Sequence, residues 1–131
     1  MTVRENLLIG AYANATADTT TRLAGIYDTF PKLKERLRQL AGTMSGGEQT
    51  MLSIGRGLMA APKLLIIDEP SIGLSRLFVN DNFGVIRRIN ETGVTIVLLE
   101  QNVKQTLAIA HHCYVLTQGK VVAAGDAAAL R

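Results

Sequence analysis

The chain has 131 residues, 47% of them hydrophobic, 19% charged and 5% aromatic, with no tryptophan. That apolar fraction excludes a disordered tail, and the length allows one domain at most. The formal charge of +3 is mild, and the lone Cys113 excludes an internal disulfide and points to a reducing compartment.

From the start, Thr2-Val3-Arg4-Glu5 has capping-box spacing and predicts a short helix with Val3, Leu7 and Leu8 on its apolar side. The same start has an early acid and no apolar core, so no signal peptide is expected. Ala11 to Thr21 is small and polar and breaks the periodicity. Leu23, Ile26, Tyr27 and Phe30 then follow helical spacing until Pro31, and Leu33, Leu37 and Leu40 predict a new helical stripe that ends before Gly42. Lys32, Lys34, Arg36 and Arg38, interleaved with Glu35, read as a solvated helix face rather than a nucleic-acid site. A further helix is expected from near Gly46 to before Pro62, burying Met51, Leu52, Gly55, Leu58 and Met59.

The second half changes character. Leu64 to Asp68, bounded by Pro62 and Pro70, predicts a strand buried on both faces. Phe83, Ile86 and Ile89 mark a helix that stops at Gly93, and Val94 to Leu99 is a second aliphatic strand. Asn102 to Ala110 reads as a helix with Val103 and Leu107 inward. Tyr114-Val115-Leu116 and Lys120-Val121-Val122 flank Gln118-Gly119, a hairpin signal. Alternating strands and helices imply right-handed crossovers and a parallel core, hence an α/β fold. No aliphatic run approaches the ~20 residues of a membrane span. Cys113 opens an apolar strand and reads as core. Arg87-Arg88 is ordinary surface, and the adjacent His111 and His112 diverge on a helix and share no metal.

Two short segments carry chemistry. Leu64 to Glu69 is a wholly aliphatic strand that ends in two acids, and in an open parallel sheet ligands bind beyond the carboxyl ends of the strands. Asp68 suits Mg²⁺, directly or through water, and Glu69 suits a base that orients or deprotonates a water attacking a phosphoryl group. A polar turn closing a strand would use the same residues. The second segment, Met44-Ser45-Gly46-Gly47-Glu48-Gln49, opens a helix. Ser45 and Glu48 have capping-box spacing, yet two adjacent glycines cost up to ~1 kcal/mol each relative to alanine. Bare glycines let an anion approach the free N–H groups of the first turn.

Together and in this order, the two segments resemble the ATP-binding subunits of ABC transporters. Ser45-Gly46-Gly47-Glu48-Gln49 is similar to their signature motif and Leu64 to Glu69 to their Walker B strand. Ser71-Ile72-Gly73-Leu74 is similar to the loop that follows it, Leu99-Glu100-Gln101-Asn102 to the switch loop, and Gly119 to Gly125 to the C-terminal hairpin. Glu100-Gln101-Asn102 and Thr2 to Leu7 look most like the ATPases of branched-chain amino acid importers. The resemblance implies a partial P-loop NTPase domain over residues 1–131, with ATP and Mg²⁺ as cofactors. It implies Glu69 and Gln101 as catalytic residues, Asp68 as the metal residue, and Ser45, Gly46, Gly47, Glu48 and Gln49 as the nucleotide-binding residues. The implied partners are a second ATP-binding subunit, transmembrane permease subunits and, indirectly, a substrate-binding protein, with no nucleic acid. The implied location is peripheral, on the cytoplasmic face of the plasma membrane.

The chain departs from the family pattern at several points. Gln101 stands where the wider family has a histidine, and it can hydrogen-bond a phosphate but cannot carry a proton. Ser75 and Arg76 stand where the loop after Walker B usually carries an aspartate, and Thr50 replaces a glutamine. No G-x-x-x-x-G-K-[ST] loop occurs, so the sequence reads as the C-terminal half of such a subunit, inactive alone. The alternatives are a non-catalytic truncated remnant and a soluble ABC ATPase not involved in transport.

Overall fold

A computed structural model describes residues 1–14 and 18–130. Residues 15–17, inside the small polar stretch from Ala11 to Thr21, lie outside the described residues. Among the described residues the α-helices are α1 Val3–Ala11, α2 Thr19–Thr29, α3 Pro31–Glu35, α4 Gly46–Leu58, α5 Arg76–Glu91 and α6 Val103–Ile109. The strands among these residues are β1 Leu64–Asp68, β2 Thr95–Leu99, β3 His112–Thr117 and β4 Lys120–Asp126.

Local chemistry accounts for most boundaries. Thr2 caps α1, accepting from the Glu5 amide while the Glu5 carboxylate accepts from the Thr2 amide. Gly93, at φ 94°, ends the turn after α5. Gln118 and Gly119, both at positive φ, make the two-residue turn that joins β3 to β4. The core gathers Val3 and Leu7 of α1, Ile26, Phe30 and Leu33, Met51 and Leu52 of α4, Met59, Ile67 of β1, and Val85 and Ile86 of α5. Helices α1 and α4 pack with their backbones nearly touching: a Cβ on Gly10 would fall 2.0 Å from the Arg56 carbonyl oxygen.

Several expectations need correction. The stripe Leu33, Leu37, Leu40 is not one helix, because α3 ends at Glu35 and Leu40 is 55% exposed. The reason is tertiary. Carbonyls of Leu37 and Gln39 turn out to accept from the Arg4 and Val3 amides, the donors left unpaired at the start of α1. The strands β1 and β2 pair in parallel, Leu64 with Thr95 through Asp68 with Leu99, but they are not buried on both faces. Leu65 and Ile67 face the helices while Leu64 and Ile66 are 51% and 64% exposed, as are Val97 and Leu99 at 45% and 47% on β2. No helix covers that second face among the described residues.

The third strand does not extend the parallel sheet. β3 pairs antiparallel with β4 in a separate two-stranded ribbon, because the tight turn supplies a local partner. Cys113 is therefore half-buried in the ribbon rather than in the core. Val103 is 60% exposed, since α6 packs on α5 through its other side. Among the described residues no helix is long and apolar enough to cross a membrane.

Candidate functional site

The parallel pairing of β1 with β2 brings two carboxyl ends side by side, and the ladder runs one step further as the Glu69 amide donates to the Leu99 carbonyl at 2.9 Å. Beyond that bond the chain must turn away from the sheet. Glu69 does so at φ 46°, in the left-handed region that disfavours a residue with a Cβ by about 1–2 kcal/mol. Strained backbone of this kind persists where surrounding contacts hold it, often at functional sites. Asp68, one residue earlier, is exposed at the strand end. Across the gap, Gln101 Nε2 donates to Glu69 Oε1 at 2.7 Å. The two residues implied to be catalytic therefore touch, although 32 positions separate them.

Glu100 is the residue that the motif reading left without a role. Its Oε1 accepts from the Ser71 amide at 2.9 Å, and its Oε2 accepts from the amides of Gln101 and Asn102 at 3.1 and 3.2 Å. The available signal was an acid at a strand end, the same signal that singled out Asp68.

The start of α4 is a second group. Ser45 caps the helix: its Oγ accepts from the Glu48 amide at 3.4 Å and donates to Glu48 Oε2 at 2.9 Å. The Ser45 amide donates to the same oxygen at 3.1 Å. Glu48 is 6% exposed, and Arg36 Nη2 lies 3.1 Å from its Oε1. Burial pushes this carboxyl up, but the Ser45 hydrogen bonds, followed by the Arg36 and Lys32 charges, outweigh it and hold the group below its ordinary value. One of the four cations read as a solvated face is thus engaged with the signature segment, and Lys32 Nζ stands 5.1 Å from the centre of the Phe78 ring. Gln49 turns back to the Met44 carbonyl at 3.0 Å.

The two glycines differ. Gly46 is exposed, and a Cβ on it would meet Leu74 Cδ2 at an ordinary 3.8 Å. Gly47 is buried, and its Cβ would stand 2.8 Å from Phe78 Cδ1. The second glycine therefore has a packing reason that the sequence did not reveal. Through Leu74 and Phe78 the start of α4 rests on the loop after Glu69 and the first turn of α5. Among the described residues, no hydrogen bond or ion pair joins Ser45–Gln49 directly to Asp68, Glu69 or Gln101. No group of three or more His, Cys, Asp or Glu able to hold a metal occurs among the described residues either.

The profile of the ABC transporter family matches residues 1–72. The chain is 46% identical over 130 residues to the high-affinity branched-chain amino acid transport ATP-binding protein BraG of Pseudomonas aeruginosa, covering 99% of this chain and 56% of that protein. It is 37% identical over 128 residues to a probable branched-chain amino acid transport ATP-binding protein of Archaeoglobus fulgidus, covering 97% of this chain and 54% of that one. The crystal structure of an ATP-binding cassette of an ABC transporter in its ADP conformation superposes with a TM-score of 0.82 at 28% identity, over 96% of this chain and 55% of that one. The chain thus spans about half the length of the relatives it matches.

Proposed function

The chain belongs to the ABC transporter family of ATP-binding proteins, and from that premise we propose that it carries the hydrolytic and signature elements of a subunit whose ATP hydrolysis drives import of branched-chain amino acids. The observation that carries this reading is the hydrogen bond from Gln101 to Glu69 at the carboxyl end of the parallel pair. A water directed at a γ-phosphate needs a carboxylate fixed in position, and a neutral amide donor fixes it without supplying a competing proton. Glu69 is the base. Gln101 orients it.

ATP enters as its Mg²⁺ complex. Asp68, exposed at the strand end, offers Mg²⁺ a carboxylate beside Glu69. That suits an ion which keeps water and phosphate oxygens as most of its shell. Its charge would stabilise the transferring phosphoryl group. Ser45, Gly46 and Gly47 are assigned to a nucleotide held by a second ATP-binding subunit, through the Ser45 hydroxyl and the free amides at the positive end of α4. Glu48 and Gln49 support this by holding the cap and the Met44 carbonyl rather than by reaching outward. Permease subunits complete the assembly, which would sit peripherally on the cytoplasmic face of the membrane.

The test uses a hybrid: the part of the Pseudomonas aeruginosa relative that precedes the matched region, joined to this chain. The 131-residue chain alone is expected to show no significant ATPase, and the hybrid to hydrolyse ATP and restore leucine uptake in a strain lacking that relative. Glu69→Gln in the hybrid should cut turnover by about 10²–10⁴-fold, the usual contribution of a positioned base, while ATP binding survives. Undiminished turnover in that variant would remove Glu69 from the reaction.

A further inference from the structure

The peptide group between Pro70 and Ser71, which follows Glu69 at one residue's remove, is held at both of its polar atoms. Its carbonyl oxygen, on Pro70, accepts from Asn82 Nδ2 at 3.2 Å. Its N–H, on Ser71, donates to Glu100 Oε1 at 2.9 Å. Pro70 is buried and Asn82 is 1% exposed, so water is no substitute partner for that carbonyl. A planar group pinned at both ends cannot rotate about the bonds that flank it, and proline removes the freedom at φ just before. The segment that leaves the left-handed backbone at Glu69 is thereby held one residue further on.

The same Glu100 carboxylate uses its other oxygen to bind the amides of Gln101 and Asn102. Both members of the Glu69–Gln101 pair are therefore hung from one side chain. Asn82 has a further peculiarity. It lies on the apolar face of α5 among Val79, Phe83, Val85 and Ile86, and its Oδ1 has no hydrogen-bond partner. A buried, half-satisfied amide costs stability. An apolar residue would fill that face with no orphaned oxygen, so the gain from Asn82 lies in the Pro70 carbonyl it holds.

We propose that Glu100 and Asn82 are positioning residues for hydrolysis, which clamp the Pro70–Ser71 peptide and thereby set the geometry of Glu69 against Gln101. The proposal rests on Glu69 being the base. In the hybrid, Glu100→Gln keeps the size but turns an NH₂ group against a backbone N–H, and Asn82→Leu keeps the bulk but loses the Nδ2 donor. Each should lower kcat by about tenfold to a hundredfold, as small displacements of a catalytic group do, with little change in KM for ATP. Asn82→Leu should do so with its thermal midpoint close to that of the parent. Amide exchange read in parallel should show faster exchange at Ser71 in both variants, and at Gln101 and Asn102 in Glu100→Gln, with α4 unchanged. Parental kcat in both variants while Glu69→Gln is inactive would overturn the clamp. So would a loss of kcat that merely tracks a loss of protection throughout the fold. If Glu69→Gln itself keeps full turnover, the hydrolytic reading fails instead, and the exchange at Ser71 still decides whether the peptide is clamped.

Discussion

At the residue scale, Gly46 and Gly47 show why adjacent identical residues need separate explanations. A free approach to the first-turn amides accounts for both equally, but the structure gives Gly47 a second constraint, the Phe78 ring at 2.8 Å from any added Cβ. A defect in Gly47→Asp would therefore not distinguish phosphate exclusion from a clash with α5. Alanine substitutions do. Gly47→Ala should destabilise the hybrid by about 1–3 kcal/mol through overpacking, less whatever helix propensity it gains. Phe78→Leu should recover much of that in a double-mutant cycle, because the two side chains share one contact. Gly46→Ala, meeting nothing closer than Leu74 Cδ2 at 3.8 Å, should leave stability near the parent's and weaken ATP-driven dimerisation. Denaturant melts and light scattering with ATP separate the two effects. Normal dimerisation in Gly46→Ala would favour the capping box as the whole purpose of the segment.

At the element scale, the start of α4 is held by charge as well as by packing. Glu48 receives the Ser45 hydroxyl and amide on one oxygen and faces Arg36 with the other. Its pKa lies below the ordinary value, so the ionised form is favoured by folding. The stability this contributes is fully present above the unfolded-chain value, about 4.3 for glutamate, and is lost as pH falls through the lower native value. Glu48→Gln removes that dependence. The stability gap between parent and Glu48→Gln, measured by denaturant unfolding at a series of pH values, should be constant near neutrality and shrink in acid below about pH 4. Arg36→Ala should narrow the gap at neutral pH. A gap that does not change with pH would mean that Glu48 acts as a neutral cap alone.

At the scale of the whole molecule, the described residues cover the parallel pair on one side and leave the other open. Leu64 and Ile66 of β1 and Val97 and Leu99 of β2 form a contiguous exposed aliphatic face. Sheets paired in parallel are ordinarily covered on both faces, and open strand edges invite pairing with other chains. The 131-residue chain is expected to bind a hydrophobic dye strongly and to self-associate. Ile66→Lys with Val97→Lys should reduce both while leaving far-ultraviolet circular dichroism unchanged, because neither side chain belongs to the buried core. A monodisperse chain that ignores the dye would contradict this picture of the face.

What the sequence by itself determined were the local features. The capping boxes at Thr2 and Ser45, the stop at Gly93 and the Gln118-Gly119 turn each rest on residues within a few positions of one another, so their chemistry is legible in a short window. The order of Ser45–Gln49, Asp68-Glu69 and Gln101 was enough to point to the family, because the ordered combination is far more specific than either segment alone. Tertiary structure decided what depends on distant partners. Leu37 and Leu40 leave helical geometry because the carbonyls of Leu37 and Gln39 turn out to the first amides of α1, and β3 leaves the parallel sheet because β4 is nearer. Gly47 is small because Phe78 lies against it, and Glu100 matters because Ser71, 29 positions away, donates its amide to it. Hydrogen bonds and close contacts of this kind form between groups that only the folded chain brings together, and no periodicity along the sequence encodes them.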